Sequence, residues 1–369
     1  FYGGSRIREF ENRWSEHFKV QYSVSVNSCT SGLMVALGAI GLEPGDEVIV
    51  STWTMCASAT SILIWNAIPV FADIEDETFN LDPQSIEKNI TPNTKAIVVT
   101  NIFGHAAKLD EIMLIAKKYN LRVIEDNAQS PGALCNGVYT GTIGDIGVFS
   151  LNYHKHIHTG EGGMCVTNNA ELSERMKLIR NHAEAVVEDK GVSSLVNMIG
   201  FNFRMGEIEA AIGIEQLKKL PDLINEKVEW AEQLSDGLSS LSYLRNPVVR
   251  DNCSHVYYAY PMLLDMKLDR DTIYNALVAE GIPYLANEVT LIHLLPMFQK
   301  KIAYGKSGYP WNESNYNGNV KYTYGICPTA ENILKERYMN FGLGLVALDK
   351  NKITKIIDTF NKVWDELVI

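Results

Sequence analysis

The chain has 369 residues, of which 46% are hydrophobic and 21% charged, the balance of a globular protein with a sizeable core. Its net charge of -11, without any basic run, argues against nucleic acid as a partner. Its apolar runs are strand-sized, which argues against a membrane partner, and its length favours one large domain with a smaller companion.

Ile7 to Phe18 carries apolar residues at helical spacing, and Tyr22 to Val26 alternates as a strand. The strand runs into the small polar turn Asn27 to Gly32, and a helix is expected over Leu33 to Ile40. A strand, a small-residue turn and a helix start make an anion site, because backbone N–H groups and the helix dipole converge there. Thr30 and Ser31 would add hydroxyls. The same pattern also describes an ordinary helix cap. Glu47 to Val50, Pro69 to Ala72, Ala96 to Thr100 and Arg122 to Asp126 read as further strands, with helices over Thr54 to Trp65 and Ile112 to Tyr119 between them. This alternation predicts an α/β fold with a mostly parallel central sheet flanked by helices. Ligands of such sheets sit at the carboxyl ends of the strands, where Thr30 and Asp126 fall. A carboxylate ending a buried strand needs a partner: a cap, an ion pair, or a protonated ring nitrogen with Gln129 beside it.

Val148, Phe149 and Ser150 end another buried strand, and Met164 to Thr167 resumes as the next. Between them lies Lys155, flanked by His154, His156 and His158 and followed by the turn Thr159 to Gly163. A lysine held among buried strands loses proton affinity, and a neutral amine attacks carbonyl groups. A solvated loop lysine is the bland alternative. The alternating histidines would share one face of an extended segment, but no cysteine or carboxylate joins them at metal-ligand spacing, so no metal is expected.

Gly200 to Met205 precedes an amphipathic helix over Glu207 to Leu220, punctuated by Pro221. Beyond it a long helix, strands around His255 to Leu264, a helix over Arg270 to Glu280 and a final helix over Lys352 to Leu367 form a smaller α+β C-terminal domain. The expected domains are residues 1–225 and 226–369. Lys300 to Tyr324, rich in Gly, Tyr and Asn, reads as a loop outside the core. The six cysteines (29, 56, 135, 165, 253 and 327) form no C-x-x-C pair; as buried free thiols they suit a cytoplasmic location. The sequence opens on Phe1, not Met, and so says nothing about a leader segment.

Assembled, these motifs resemble the DegT/DnrJ/EryC1/StrS family of sugar aminotransferases. The resemblance rests on Asn27 to Thr30, Gly45 to Val50, Pro69 to Asp73, Ile124 to Gln129, Gly141 to Ser150, Lys155 with Thr159 to Gly163, and Gly200 to Met205, in that order. It covers nearly the whole chain. It implies a PLP-dependent transferase of fold type I, the aspartate-aminotransferase-like fold, with pyridoxal 5'-phosphate (PLP) as cofactor and pyridoxamine 5'-phosphate (PMP) as its aminated form. By the same resemblance Lys155 would hold PLP covalently and then move a proton. Asp126 would keep the pyridine nitrogen protonated, and Gln129 would bond the phenolic oxygen. Thr30, Ser31 and Ser150 would bind the phosphate, and Asn202 would do so from the second subunit of a homodimer with shared active sites. An aromatic usually covers the ring; here either Met55 or Trp53 stands at that place. His154, His156 and His293 are candidate substrate contacts, with packing as the alternative for the first two.

The implied reaction moves an amino group from glutamate or glutamine to a keto-sugar, nucleotide-linked, as a 4-keto or 3-keto deoxyhexose, in amino-sugar biosynthesis for polysaccharide or O-antigen. The rivals are a PLP-dependent sugar 3-dehydratase and a non-catalytic PLP-binding regulatory protein. The dehydratase branch carries histidine where the aminotransferases carry lysine. Counting back five positions from Gly160 gives Lys155, so the aminotransferase register holds.

Overall fold

The computed structural model describes residues 3–183, 194–343 and 348–368. Within them lie the strands β1 (Tyr22–Val26), β2 (Glu47–Ser51), β3 (Ile68–Ala72), β4 (Thr94–Thr100), β5 (Arg122–Asp126), the short hairpin β6 (Leu134–Cys135) and β7 (Val138–Tyr139), β8 (Ile146–Ser150) and β9 (Gly163–Thr167). The helices of this half are α1 (Ser5–Phe18), α2 (Cys29–Ala39), α3 (Cys56–Leu63), α4 (Pro83–Lys88), α5 (Leu109–Tyr119) and α6 (Ala170–Arg180). Seven strands form one sheet in the order β1-β9-β8-β5-β4-β2-β3. All run parallel except β9, which is antiparallel to both neighbours. The α/β reading therefore holds, and the carboxyl ends of six strands open on the same edge.

Both faces of this sheet are covered, which is why its strands read as continuous apolar runs. Val48, Val50, Ala96 and Val98 pack on one face with α2 and α3, while Ile49, Ile97 and Val99 pack on the other with α5. On the same sheet α1 and the first half of α7 (Glu207–Leu238) enclose Phe149, Met164 and Val166.

The expected stop at Pro221 is a difference: α7 runs through it as one helix of 32 residues. Proline removes one backbone donor and crowds the preceding turn, which ends helices only when packing does not hold both sides. Here Ile214, Leu217 and Leu220 are held by one core and Trp230, Leu234 and Leu238 by another. Residue 225, the expected boundary, lies inside this helix. Beyond it, β10 (Leu244–Arg245), β11 (Tyr260–Leu264), β12 (Leu285–Ala286) and β13 (Tyr338–Phe341) form an antiparallel sheet in the order β10-β11-β13-β12. Helices α8 (Arg270–Ala279) and α11 (Lys350–Leu367) share its core.

The segment between them returns to the large core with α9 (Pro296–Gln299) and α10 (Pro328–Glu336). Trp311, Tyr316 and Tyr322, expected in a loop outside the core, are buried there. Their hydroxyl and indole groups find partners: Trp311 Nε1 donates to the Tyr322 hydroxyl at 2.9 Å, which donates to the Pro69 carbonyl at 2.6 Å. Aromatic side chains with a polar tip can thus be core residues in a Gly- and Asn-rich stretch.

Candidate active site

A cavity of about 340 Å³ opens where the strand ends converge. Its wall includes Ser28, Cys29, Thr30, Thr54, Met55, Thr100, Asp126, Gln129, Ser150, Asn152, His154, Lys155, Glu161 and Tyr258. After β1, the Ser28 hydroxyl caps α2 by accepting from the Ser31 backbone N–H at 3.0 Å. Cys29 and Thr30 begin the helix, so its N-terminal amides face the cavity. Gly163 lies against this turn: a Cβ there would stand 2.8 Å from the Ser28 carbonyl carbon and 2.9 Å from the Cys29 nitrogen. Only glycine allows β9 to approach so closely.

Asp126 is buried at the end of β5. Its Oδ2 accepts from the Ser58 hydroxyl at 2.6 Å and its Oδ1 from the Ala128 N–H at 3.2 Å. The Ser58 hydroxyl lies 2.9 Å from that of Thr54, which lies 2.9 Å from that of Thr100. Burial raises the Asp126 carboxyl above its ordinary range, while Ser58, Ala128 and the charge of Lys155 pull it back. The neighbouring residues have structural partners. Glu125 accepts from the Gly141, Ile143 and Gly144 amides at 2.6, 2.8 and 2.7 Å, so it organises the glycine-rich turn before β8. The Asn127 amide donates to the Ser130 and Thr140 carbonyls at 3.0 and 3.1 Å, just before that turn.

Lys155 sits on the loop that leaves β8 and re-enters the sheet as β9. Its Nζ lies 4.3 Å from the centroid of the Tyr258 ring. Burial lowers the amine's proton affinity, and the negative potentials of Cys29 and Asp126 partly restore it. Tyr258 arrives from the other half of the chain, on a strap held by Val256 N–H to the Gly104 carbonyl (2.8 Å) and Ala259 N–H to the Phe103 carbonyl (3.2 Å). Gln129 uses its Oε1 to accept from the Phe103 N–H at 2.8 Å, which leaves its amide nitrogen toward the cavity.

Of the residues expected from the sequence, Thr30, Met55, Asp126, Gln129, Ser150, His154 and Lys155 line this one cavity. Others do not. Ser31 turns into the cap with Ser28. Trp53 is buried against Phe79 and Tyr338, while Met55 is 67% exposed at the cavity rim. His156 is buried and its Nε2 meets the Val256 carbonyl at 2.7 Å, so it holds the strap and does not line the cavity. His293 is fully buried, with Nδ1 2.6 Å from Thr52 Oγ1 and Nε2 3.0 Å from Glu331 Oε1; both nitrogens are committed to the core, and it does not face the cavity. Asn202 is exposed and bridges Asn181, away from this chain's own cavity. The alternation of His154, His156 and His158 places one at the cavity, one in the core and one in solvent.

Sequence reading missed Ser28, Cys29, Thr54, Ser58, Thr100, Glu161 and Tyr258. Thr100 ends an apolar strand as Asp126 does, so the strand-end rule could have found it. Tyr258 carried no local signal.

With this geometry in place, comparison with known proteins is informative. The family model described as the DegT/DnrJ/EryC1/StrS aminotransferase family matches residues 1–325. GDP-perosamine synthase of Caulobacter vibrioides is 37% identical over 288 residues, which cover 76% of this chain and 75% of that protein. The structure of the aminotransferase from Psychrobacter cryohalolentis superposes with a TM-score of 0.84 at 28% identity, covering 99% of this chain and 92% of the other. NtdA of Bacillus subtilis, whose structure holds the cofactor PMP, gives a TM-score of 0.79 at 26% identity over 99% of this chain and 78% of that one.

Proposed function

The chain belongs to the DegT/DnrJ/EryC1/StrS aminotransferase family, and from that premise we propose that it transfers an amino group from glutamate or glutamine to the ketone of a nucleotide-linked sugar. The protein is an aminotransferase with PLP as its cofactor. The single observation that carries the site assignment is a half-buried amine, Lys155, sharing one cavity with a buried carboxylate, Asp126.

The residues present fit a phosphorylated pyridine. The cavity has a helix N-terminus with Thr30 and Ser150 hydroxyls at one wall, suited to a dianion, and Asp126 at another, suited to a ring N–H. Gln129 offers a donor to a phenolic oxygen. When bound, the cofactor supplies an electron sink for a carbanion at the amino-bearing carbon. Lys155 would hold the cofactor and, with its lowered proton affinity, would take and return the proton of that carbon. Asp126, fixed by Ser58, would keep the ring nitrogen protonated. Tyr258 lies against the amine and would help to position it. Met55, at the rim, would lie over the ring.

The finer assignments are part of the same reading. A nucleotide-linked substrate is supported by the GDP-perosamine synthase relative, a 4-keto or 3-keto deoxyhexose by the family. A homodimer with Asn202 reaching the second subunit's phosphate site is supported by the exposed apolar side chains that flank it in sequence, Ile199 and Ile208, at 68 and 75% exposure. Residues 1–225 would form the cofactor-binding domain and 226–369 the smaller C-terminal one. Free thiols suit the cytoplasm.

Incubating purified protein with PLP, glutamate and a panel of nucleotide-linked keto-sugars tests the reading. The expected result is an aminated sugar with stoichiometric loss of glutamate. Lys155→Ala should lower turnover by about 10³-fold and abolish the covalent cofactor absorbance. A ketone formed by water loss without donor consumption would overturn it in favour of a dehydratase.

A further inference from the structure

Outside the cavity, the strap that carries Tyr258 is fastened to the large domain through a pair of cysteines. Cys135 ends β6, and Cys253 faces it in an isolated antiparallel bridge. The flanking hydrogen bonds define the pairing: Asn136 N–H donates to the Asn252 carbonyl at 2.8 Å, and Ser254 N–H donates to the Leu134 carbonyl at 2.9 Å. Bonds on both sides and none between the paired residues mark a non-hydrogen-bonded pair. At such a pair the Cα atoms stand about 4.5 Å apart and the side chains project from the same face. That spacing lies within the range a disulfide spans, and the two thiols already interact.

We propose that Cys135 and Cys253 are a redox site in which a hydroperoxide converts the two thiols into a cross-strand disulfide that locks the strap to the β6–β7 hairpin. Cys253 is partly exposed and Cys135 is buried, so the oxidant meets Cys253 first. The Cys253 sulfur attacks the peroxide; an S–O bond forms, the O–O bond breaks, and for hydrogen peroxide one water leaves. The Cys135 sulfur then attacks the Cys253 sulfur; the S–S bond forms, the S–O bond breaks, and a second water leaves with the Cys135 proton. The two thiols lose two electrons in all and the peroxide gains them. Burial and the neighbouring Cys253 push the Cys135 thiol up to about 12, which keeps that sulfur protonated and unreactive until the Cys253 sulfur is activated beside it. No other pair among the described cysteines shares a bridge.

The test uses the full chain exposed to a small excess of hydrogen peroxide, then denatured with an alkylating agent and mapped by mass spectrometry. Two of the six thiols should be lost, as one linked peptide pair containing Cys135 and Cys253 within a single chain. Because the strands are already in register, the oxidised form should unfold about 5 °C or more above the reduced form. Sulfinic acid at Cys253 with Cys135 still free, a link between chains, or any other pairing would overturn the proposal. So would a correct link accompanied by a lower unfolding temperature. Cys135→Ser and Cys253→Ser should each leave no intramolecular link.

Discussion

The residue that sets the chemistry of Asp126 is Ser58, one turn into α3 and directly bonded to it. Removing a hydroxyl donor to a charged acceptor costs about 1.5–3 kcal/mol. Ser58→Ala should therefore lower turnover by roughly tenfold or more and raise the proton affinity of Asp126. The pH profile should lose activity on its acid side at a higher pH than in the parent, and an unchanged profile would remove Ser58 from the mechanism. A second group of residues governs stability. His105 and His156 are held near 3, chiefly by burial, and burial also lowers His255 well below its ordinary value. Unfolded, each binds its proton near pH 6.5, so below that pH the unfolded chain carries more protons than the native one. Stability is therefore lost as pH falls from 6.5 toward 3, by about 2 kcal/mol per histidine at pH 5. The raised carboxyls of Glu125 and Asp126 act in the opposite sense. Urea unfolding of the parent and of His105→Gln at pH 7 and pH 5 isolates the effect: the variant should lose less stability between the two. At this scale the sequence showed Lys155 and Asp126 clearly, because both follow apolar runs. It could not separate His293 from a substrate ligand, since a histidine in an apolar run looks the same with its nitrogens bonded to Thr52 and Glu331 as with them free.

Among the elements, α1 and α7 pack through one small residue. A Cβ on Gly213 would come within 2.5 Å of the fully buried ring of Phe10. Alanine would gain about 1 kcal/mol of helix propensity there. Overpacking a closed core costs typically 1–3 kcal/mol, and the ring has nowhere to move. Gly213→Ala should thus destabilise the protein on balance, as read by denaturant midpoint, and a stabilised variant would show that α1 can shift. Pro221 makes the reverse case. It is exposed, so Pro221→Ala restores one helical hydrogen bond without a clash and should stabilise by about 1–2 kcal/mol after allowing for the freer unfolded chain. These helices also show what a sequence can and cannot disclose. Tyr22–Val26 and Arg122–Asp126 were legible to the residue, the first by its alternation and the second because buried parallel strands are short and sharply bounded. The continuity of α7 was not, because it depends on two cores made from distant segments.

For the whole molecule, α7 ties the core of the seven-stranded sheet to the core of the four-stranded one, and Tyr258, from the later part of the chain, packs against the former beside Lys155. The apolar surface near Asn202 sets the prediction at this level. Ile208→Asp places a charge in the proposed dimer face, so sedimentation should shift from dimer toward monomer and cofactor retention should fall with it. A variant that stays dimeric with full activity would remove this face from the interface. The antiparallel strand has its own consequence, for biosynthesis. β1 pairs only with β9, whose residues follow roughly 140 positions later, about ten seconds or more of elongation on a ribosome. Until Gly163 has emerged, the emerging polypeptide has neither a closed sheet edge nor a fixed lysine. With Lys155 in its proposed role, vitamin B6 capture would be a late event in the protein's making.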